Sequence, residues 1–82
     1  MNFYVYVIGS KKKPLKTYVG WTNNLSKRIL KHNLGIGAKF TRCRKWELLY
    51  SETLKSKKMA MKREYQIKKN NKLRTFLRKK IK

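Results

Sequence analysis

Acidic side chains are almost missing from this sequence: Glu47, Glu52 and Glu64 stand against 24 lysines and arginines, for a formal net charge of +21. A chain so unbalanced repels itself and calls for a polyanion. Nucleic acid is the expected partner, because a cationic surface releases counterions from the phosphate backbone. An anionic membrane fits less well. Membrane-surface helices set a basic face against a strongly apolar one, whereas here the basic residues are spread through loops, strands and helices alike. Cysteine is equally scarce. Cys43 stands alone, which excludes an internal disulfide and a thiolate cluster for structural zinc, and reads as a small, partly buried thiol. No apolar run approaches the roughly 20 residues that span a bilayer. Met1 to Ile8 are apolar, but the lysines follow rather than precede them, unlike a signal peptide. These absences point to a soluble, intracellular (cytoplasmic) protein. With 82 residues there is room for one domain, 1–82, whose compact core leaves catalytic groups near solvent.

What is present reads as alternating short elements without an internal repeat. Asn2 to Ile8 are aromatic and β-branched and predict a strand, followed by a basic turn over Gly9 to Pro14. Lys16 to Trp21 predict its hairpin partner, with Gly20 inside marking a bulge or a close approach to the backbone, such as that of a substrate phosphate. Thr22, Asn23 and Asn24 offer caps for a helix over Leu25 to Asn33, with Leu25, Ile29 and Leu30 at helical spacing. A loop over Gly35 to Thr41 ends it. A third strand is expected over Lys45 to Glu52. Ser56 can cap a second helix to about Lys69, with Ala60, Glu64 and Ile67 on one stripe. Past Asn70 and Asn71, Leu73, Phe76, Leu77 and Ile81 predict a last basic helix. The fold class is α+β: a small three-stranded antiparallel sheet flanked by helices in the order β-β-α-β-α-α.

The scarcity of acids allows each to be weighed as a holder of metal or proton. Glu64 lies between Ala60 and Ile67 on the inward stripe, where an unpaired carboxylate is costly, so a cation must answer it. That cation is either a metal or a neighbouring Arg or Lys. Glu47 and Glu52, five apart on a strand, are expected on opposite sides as surface groups that relieve positive charge. Arg28 and His32 lie one helical turn apart and can reach one phosphate together. The guanidinium could stabilise developing charge, and the imidazole could orient a tyrosine or carry a proton. Each also has a plain reading, as a solvated charge or a satisfied histidine. Tyr4 and Tyr6 share a strand face, and Tyr18 on the hairpin partner can approach them, although strand tyrosines are usually packing residues.

Tyr4-Val5-Tyr6, and twelve residues after Tyr6 the run Tyr18-Val19-Gly20, resemble the motif pair of the GIY-YIG nuclease family. Gly20-x-Thr22, Asn24-Leu25, Arg28 with His32, and Lys62-Arg63-Glu64-Tyr65 follow in the family's order. Gly35 to Thr41, with Arg42, is similar to the loop of the minimal single-domain, YhbQ-like (UPF0213) type. Tyr4 departs from the glycine of the family name, while Tyr6 matches the required tyrosine. The resemblance implies one divalent cation, Mg2+ or Mn2+, on Glu64, with water and phosphate oxygens completing its shell. It also implies that the tyrosine matching Tyr18 or Tyr6 takes a proton from the attacking water, Tyr18 being favoured as the nearer. Arg28 would then stabilise the phosphorane-like charge and His32 support the tyrosine, leaving a 5′ phosphate and a 3′ hydroxyl. Binding would draw on Lys11, Lys12 and Lys13, on Lys39, Arg42 and Arg44, and on Arg74, Arg78, Lys79 and Lys80, gripping phosphates without reading bases.

Two functions from different classes remain. One is an endonuclease acting on DNA at branched, nicked or otherwise distorted structures, since minimal members lack the extra domain that chooses a sequence. The other is a DNA- or RNA-binding module without turnover, because a shared fold does not guarantee a shared activity.

Overall fold

Val5 to Ser10 are all buried, as a central strand covered on both faces requires. This strand is β1 (Phe3–Ser10), and β2 (Lys16–Thr22) and β3 (Trp46–Leu54) pair antiparallel on either side of it, in the order β2-β1-β3. The computed structural model describes residues 2–37, 39–42 and 44–81; the reading of Cys43 lies outside them. Three helices complete the expected β-β-α-β-α-α order: α1 (Leu25–Asn33), α2 (Lys57–Lys69) and α3 (Asn71–Arg78).

The two-residue period of β1 divides the core. Val5 and Val7 pack with Val19 of β2 and with Ala60, Ile67 and Leu77 of α2 and α3. Tyr6 and Ile8 point the other way, into a second cluster with Trp46, Tyr18, Leu25 and Ile29 beneath α1. Side-chain oxygens cap all three helices: Asn24 accepts from the Lys27 amide, Ser56 from Met59 and Asn70 from Leu73. Past α1, Gly35 adopts φ 81°, and the Gly35 and Ile36 amides bond to the His32 and Lys31 carbonyls, a Schellman ending that turns the chain back over His32. No described helix is long and apolar enough to cross a membrane.

Some expectations need correction. β1 runs two residues past Ile8, because Gly9 and Ser10 still pair on both sides. Leu30 and Phe76 are 58% and 59% exposed. The inward stripe of α1 is Leu25, Ile29 and His32; the buried edge of α3 is Leu73 and Leu77, with Phe76 outside it, and Ile81, expected within the last helix, is buried just past its end. No bulge occurs at Gly20, which pairs regularly with Tyr6. The irregularity lies in the other ladder, where Val7 pairs with Tyr50 and Ile8 with Leu48, leaving Leu49 extra.

That bulge reverses the alternation along β3. Glu47 opposes Gly9 and Glu52 opposes Val5, so the two acids share a sheet face rather than lying on opposite ones. Nor is Glu52 a plain surface charge. Arg63 of α2 grips both its oxygens at 2.8 Å, and Tyr50 donates to it as well. The Arg63 guanidinium holds the Glu52 carboxyl below the usual carboxylate range, while the same carboxylate pushes the Tyr50 phenol up. The pair is part-exposed and worth no more than about 1 kcal/mol. Its larger effect is orientational. With Arg63 turned toward β3, the next residue of α2 lies about 100° further round the helix.

Candidate active site

That next residue is Glu64, which reaches the opposite edge of the sheet. There it lines a cleft of about 400 Å³ together with Tyr6, Tyr18, Gly20 and Arg28, and with Trp21 to Asn23 at the end of β2. The sheet register brings the phenols together. Tyr6 pairs with Gly20 and Tyr18 with Ile8, so the two tyrosines are diagonal neighbours on one face. Gly20 makes room for both: a Cβ there would stand 2.5 Å from the Tyr6 hydroxyl oxygen and 3.1 Å from Tyr18 Cε2. The close approach foreseen at Gly20 is thus made by the Tyr6 phenol.

Behind the cleft runs a buried chain of hydrogen bonds. Thr41 Oγ1 lies 2.9 Å from His32 Nδ1, and His32 Nε2 lies 2.8 Å from the Tyr6 hydroxyl. That hydroxyl also accepts from Arg28 Nε at 3.4 Å, and Arg28 Nη2 donates to the Gly37 carbonyl. The Tyr18 ring packs 5.0 Å from the imidazole. Thr41 is in turn fixed by the Trp46 indole, which donates to its carbonyl at 2.8 Å. His32 is fully enclosed, so it does not reach a phosphate beside Arg28 as the one-turn spacing suggests; it faces inward and holds Tyr6. Arg28 remains half-buried at the cleft, with Tyr6 and Tyr18 stabilising its charged form.

Burial pushes the His32 imidazole below its ordinary 6.5, and the Arg28 cation adds to the effect. Burial pushes the Tyr6 phenol above 10.0, against the pull of Arg28. In the folded protein the imidazole is therefore neutral and Tyr6 a phenol at neutral pH. For His32 the unfolded chain binds the extra proton, so its contribution is complete above 6.5 and is lost as the pH falls from 6.5 toward the lowered value. For Tyr6 the contribution is complete below 10.0 and is lost as the pH rises beyond it. Urea denaturation across this range should show stability falling below 6.5 at up to about 1.4 kcal/mol per pH unit. Replacing His32 with glutamine should remove that limb while leaving the loss from Glu52, whose unfolded value is 4.5, at lower pH.

Glu64 is a rim residue, its side chain 21% exposed, with Lys68 Nζ 3.3 Å from Oε1 one turn along α2. A neighbouring lysine thus answers its charge. Among the described residues no group of three or more His, Cys, Asp or Glu could hold a metal by protein ligands alone. A single carboxylate at the rim of an open cleft nevertheless suits a hard cation such as Mg2+ or Mn2+, which keeps most of its water and takes phosphate oxygens.

The residues expected to grip phosphate are spread round the molecule. Lys11 to Lys13 are exposed in the hairpin loop, and Lys39 and Arg42 in the segment around the short 3-10 turn Lys39–Thr41. Arg44 is engaged within the fold, its Nη1 donating to the Lys12 and Pro14 carbonyls at 2.7 and 2.9 Å and bracing that loop. Arg74 donates to the Lys68 carbonyl, Arg78 has a buried Nε without a hydrogen-bond partner among the described residues, Lys79 is exposed and Lys80 lies over the Phe76 ring. Sequence reasoning missed Thr41 and Lys68, although Lys68 lies one turn from Glu64.

The GIY-YIG catalytic domain family model matches residues 2–79. The chain is similar to the UPF0213 protein CPE1444 of Clostridium perfringens, 49% identical over 83 residues that cover 96% of this chain and 87% of the relative. It is 44% identical to the UPF0213 protein YazA of Bacillus subtilis over 69 residues, covering 83% and 68% of the two chains. Among solved structures it resembles the solution NMR structure of the UPF0213 protein BH0048 from Bacillus halodurans, with a TM-score of 0.52, 36% identity, and coverage of 99% of this chain and 87% of the other.

Proposed function

The chain belongs to the GIY-YIG family, and from that premise and the geometry of its cleft we propose a single-domain (1–82), intracellular, metal-dependent endonuclease that hydrolyses phosphodiester bonds in DNA. Selection by structure, at branched, nicked or distorted sites, is part of the proposal. One observation carries it: a carboxylate from α2, two phenols from the hairpin and a guanidinium from α1 line the same cleft.

Each residue takes a role that its surroundings support. Glu64 would hold the divalent cation, which when bound supplies Lewis-acid stabilisation of charge on the phosphate and leaving oxygens. Tyr18 is the less enclosed phenol and would accept the proton of the attacking water, its own proton leaving to solvent. Arg28 would meet the charge developing on the phosphoryl oxygens. Tyr6 and His32 position these groups: Tyr6 fixes Arg28 Nε, and the neutral imidazole fixes Tyr6 and supports the Tyr18 ring. A second reading, binding without turnover, draws on the Lys68 contact that already answers Glu64. Cleavage assays with and without metal separate the two.

Binding itself should be largely electrostatic. If six or more phosphates are neutralised, affinity for duplex DNA should fall by about a thousandfold or more between 50 and 200 mM salt. Fluorescence anisotropy across that range checks this, and a flat response would remove phosphate neutralisation from the account.

A further inference from the structure

Phe40 is a large apolar side chain that stands open beside the cleft, with the rings of Tyr18 and Trp46 against it. Its backbone is held firmly, because the next residue, Thr41, is fully buried and bonded to both His32 and the Trp46 indole. The residue is nevertheless 49% exposed. Its ring stacks on Tyr18 with centroids 6.0 Å apart and planes inclined by 27°, and Lys16 Nζ lies 5.1 Å from its centroid. Phe40 and Tyr18 form one wall of a groove of about 310 Å³ over β2, and Lys68 and Arg74 line it as well. Tyr18 is common to this groove and to the catalytic cleft, so the two are continuous through its ring.

We propose that the Phe40–Tyr18 pair is a stacking platform for an unpaired nucleobase adjoining the scissile phosphate, with Lys16, Lys68 and Arg74 holding the neighbouring phosphates. An exposed aromatic ring among cations matches the chemistry of a nucleotide, a flat π-face joined to an anion. A base within a duplex is already stacked and paired and cannot lie on a protein ring without being extruded. The substrate class that follows is nucleic acid with at least one unpaired nucleotide at the cut: a flap, a bulge or a single strand. The inference rests on the nuclease reading for the position of the scissile bond, whereas the platform is measurable without turnover.

The test uses the whole protein in chelator, so that no strand is cut, with anisotropy measured on three labelled probes of equal phosphate number: oligothymidylate, an abasic oligomer and a blunt duplex. Wild type should favour oligothymidylate over the abasic strand. Phe40→Ala should lower oligothymidylate affinity by roughly five- to a hundredfold, leave the abasic strand and duplex unchanged, and be rescued by Phe40→Trp. Phe40→Leu keeps apolar bulk against Tyr18 and Trp46 but has no π-face, and should behave as the alanine variant does. Equal oligothymidylate binding by Phe40→Leu and wild type overturns the platform, as does an equal loss on all three probes or a wild type indifferent to bases. A platform effect in a protein that cuts nothing would refute the nuclease and keep the platform; normal cutting with no Phe40 effect would do the reverse.

Discussion

Glutamine in place of Glu64 is expected to lower metal-dependent cleavage by more than about a hundredfold, since the loss of an outer partner to a metal ligand alone costs about 10- to 100-fold. The substitution preserves shape and removes only the charge. Affinity for nucleic acid should hold or rise slightly, because one of three negative groups in a chain of net charge +21 is lost and Lys68 is released from its contact at 3.3 Å. Cleavage rates at saturating protein, beside anisotropy in chelator, check the two halves together. Comparable loss of binding would mean that Glu64 organises the surface rather than the chemistry.

The second large effect separates the two phenols. Tyr18→Phe should cut the single-turnover rate by about 10²- to 10⁴-fold, the usual contribution of a positioned proton acceptor. Stability should change little, because the Tyr18 side chain is not fully enclosed. Tyr6→Phe should behave differently. The Tyr6 hydroxyl is fully buried and shared by His32 Nε2 and Arg28 Nε, so its removal leaves a buried imidazole nitrogen unpartnered. That should cost about 1–3 kcal/mol of stability in urea denaturation, with a smaller loss of rate through the displaced guanidinium. The reverse pattern, a slow but stable Tyr6→Phe and an active Tyr18→Phe, would exchange their roles.

Much of this architecture was legible because local chemistry and global fold agree. The capping side chains of Asn24 and Ser56 mark their helices in the sequence as they do in the structure, and the aromatic and β-branched run of β1 marks a strand. Glu64 drew notice because it is an acid on an inward stripe in a chain with three acids. What escaped depends on long-range contact. The extra residue Leu49 has no local signature, yet it sets which face Glu52 occupies and hence the Arg63 contact. Helical spacing put His32 beside Arg28 without showing that the loop after Gly35 folds back to enclose it through Thr41. Leu30 and Phe76 fit an apolar period but sit one position off the buried edge, a distinction that depends on what lies opposite.

The proposed role of Glu64 in holding a divalent cation for hydrolysis in the cleft is tested most directly by cleavage of flap, junction, single-stranded and duplex substrates by purified protein with magnesium, manganese or chelator. Cutting in the presence of metal, abolished by chelator and yielding 5′-phosphate ends, is the predicted result. Tight binding to these substrates with no cutting under either metal would contradict it.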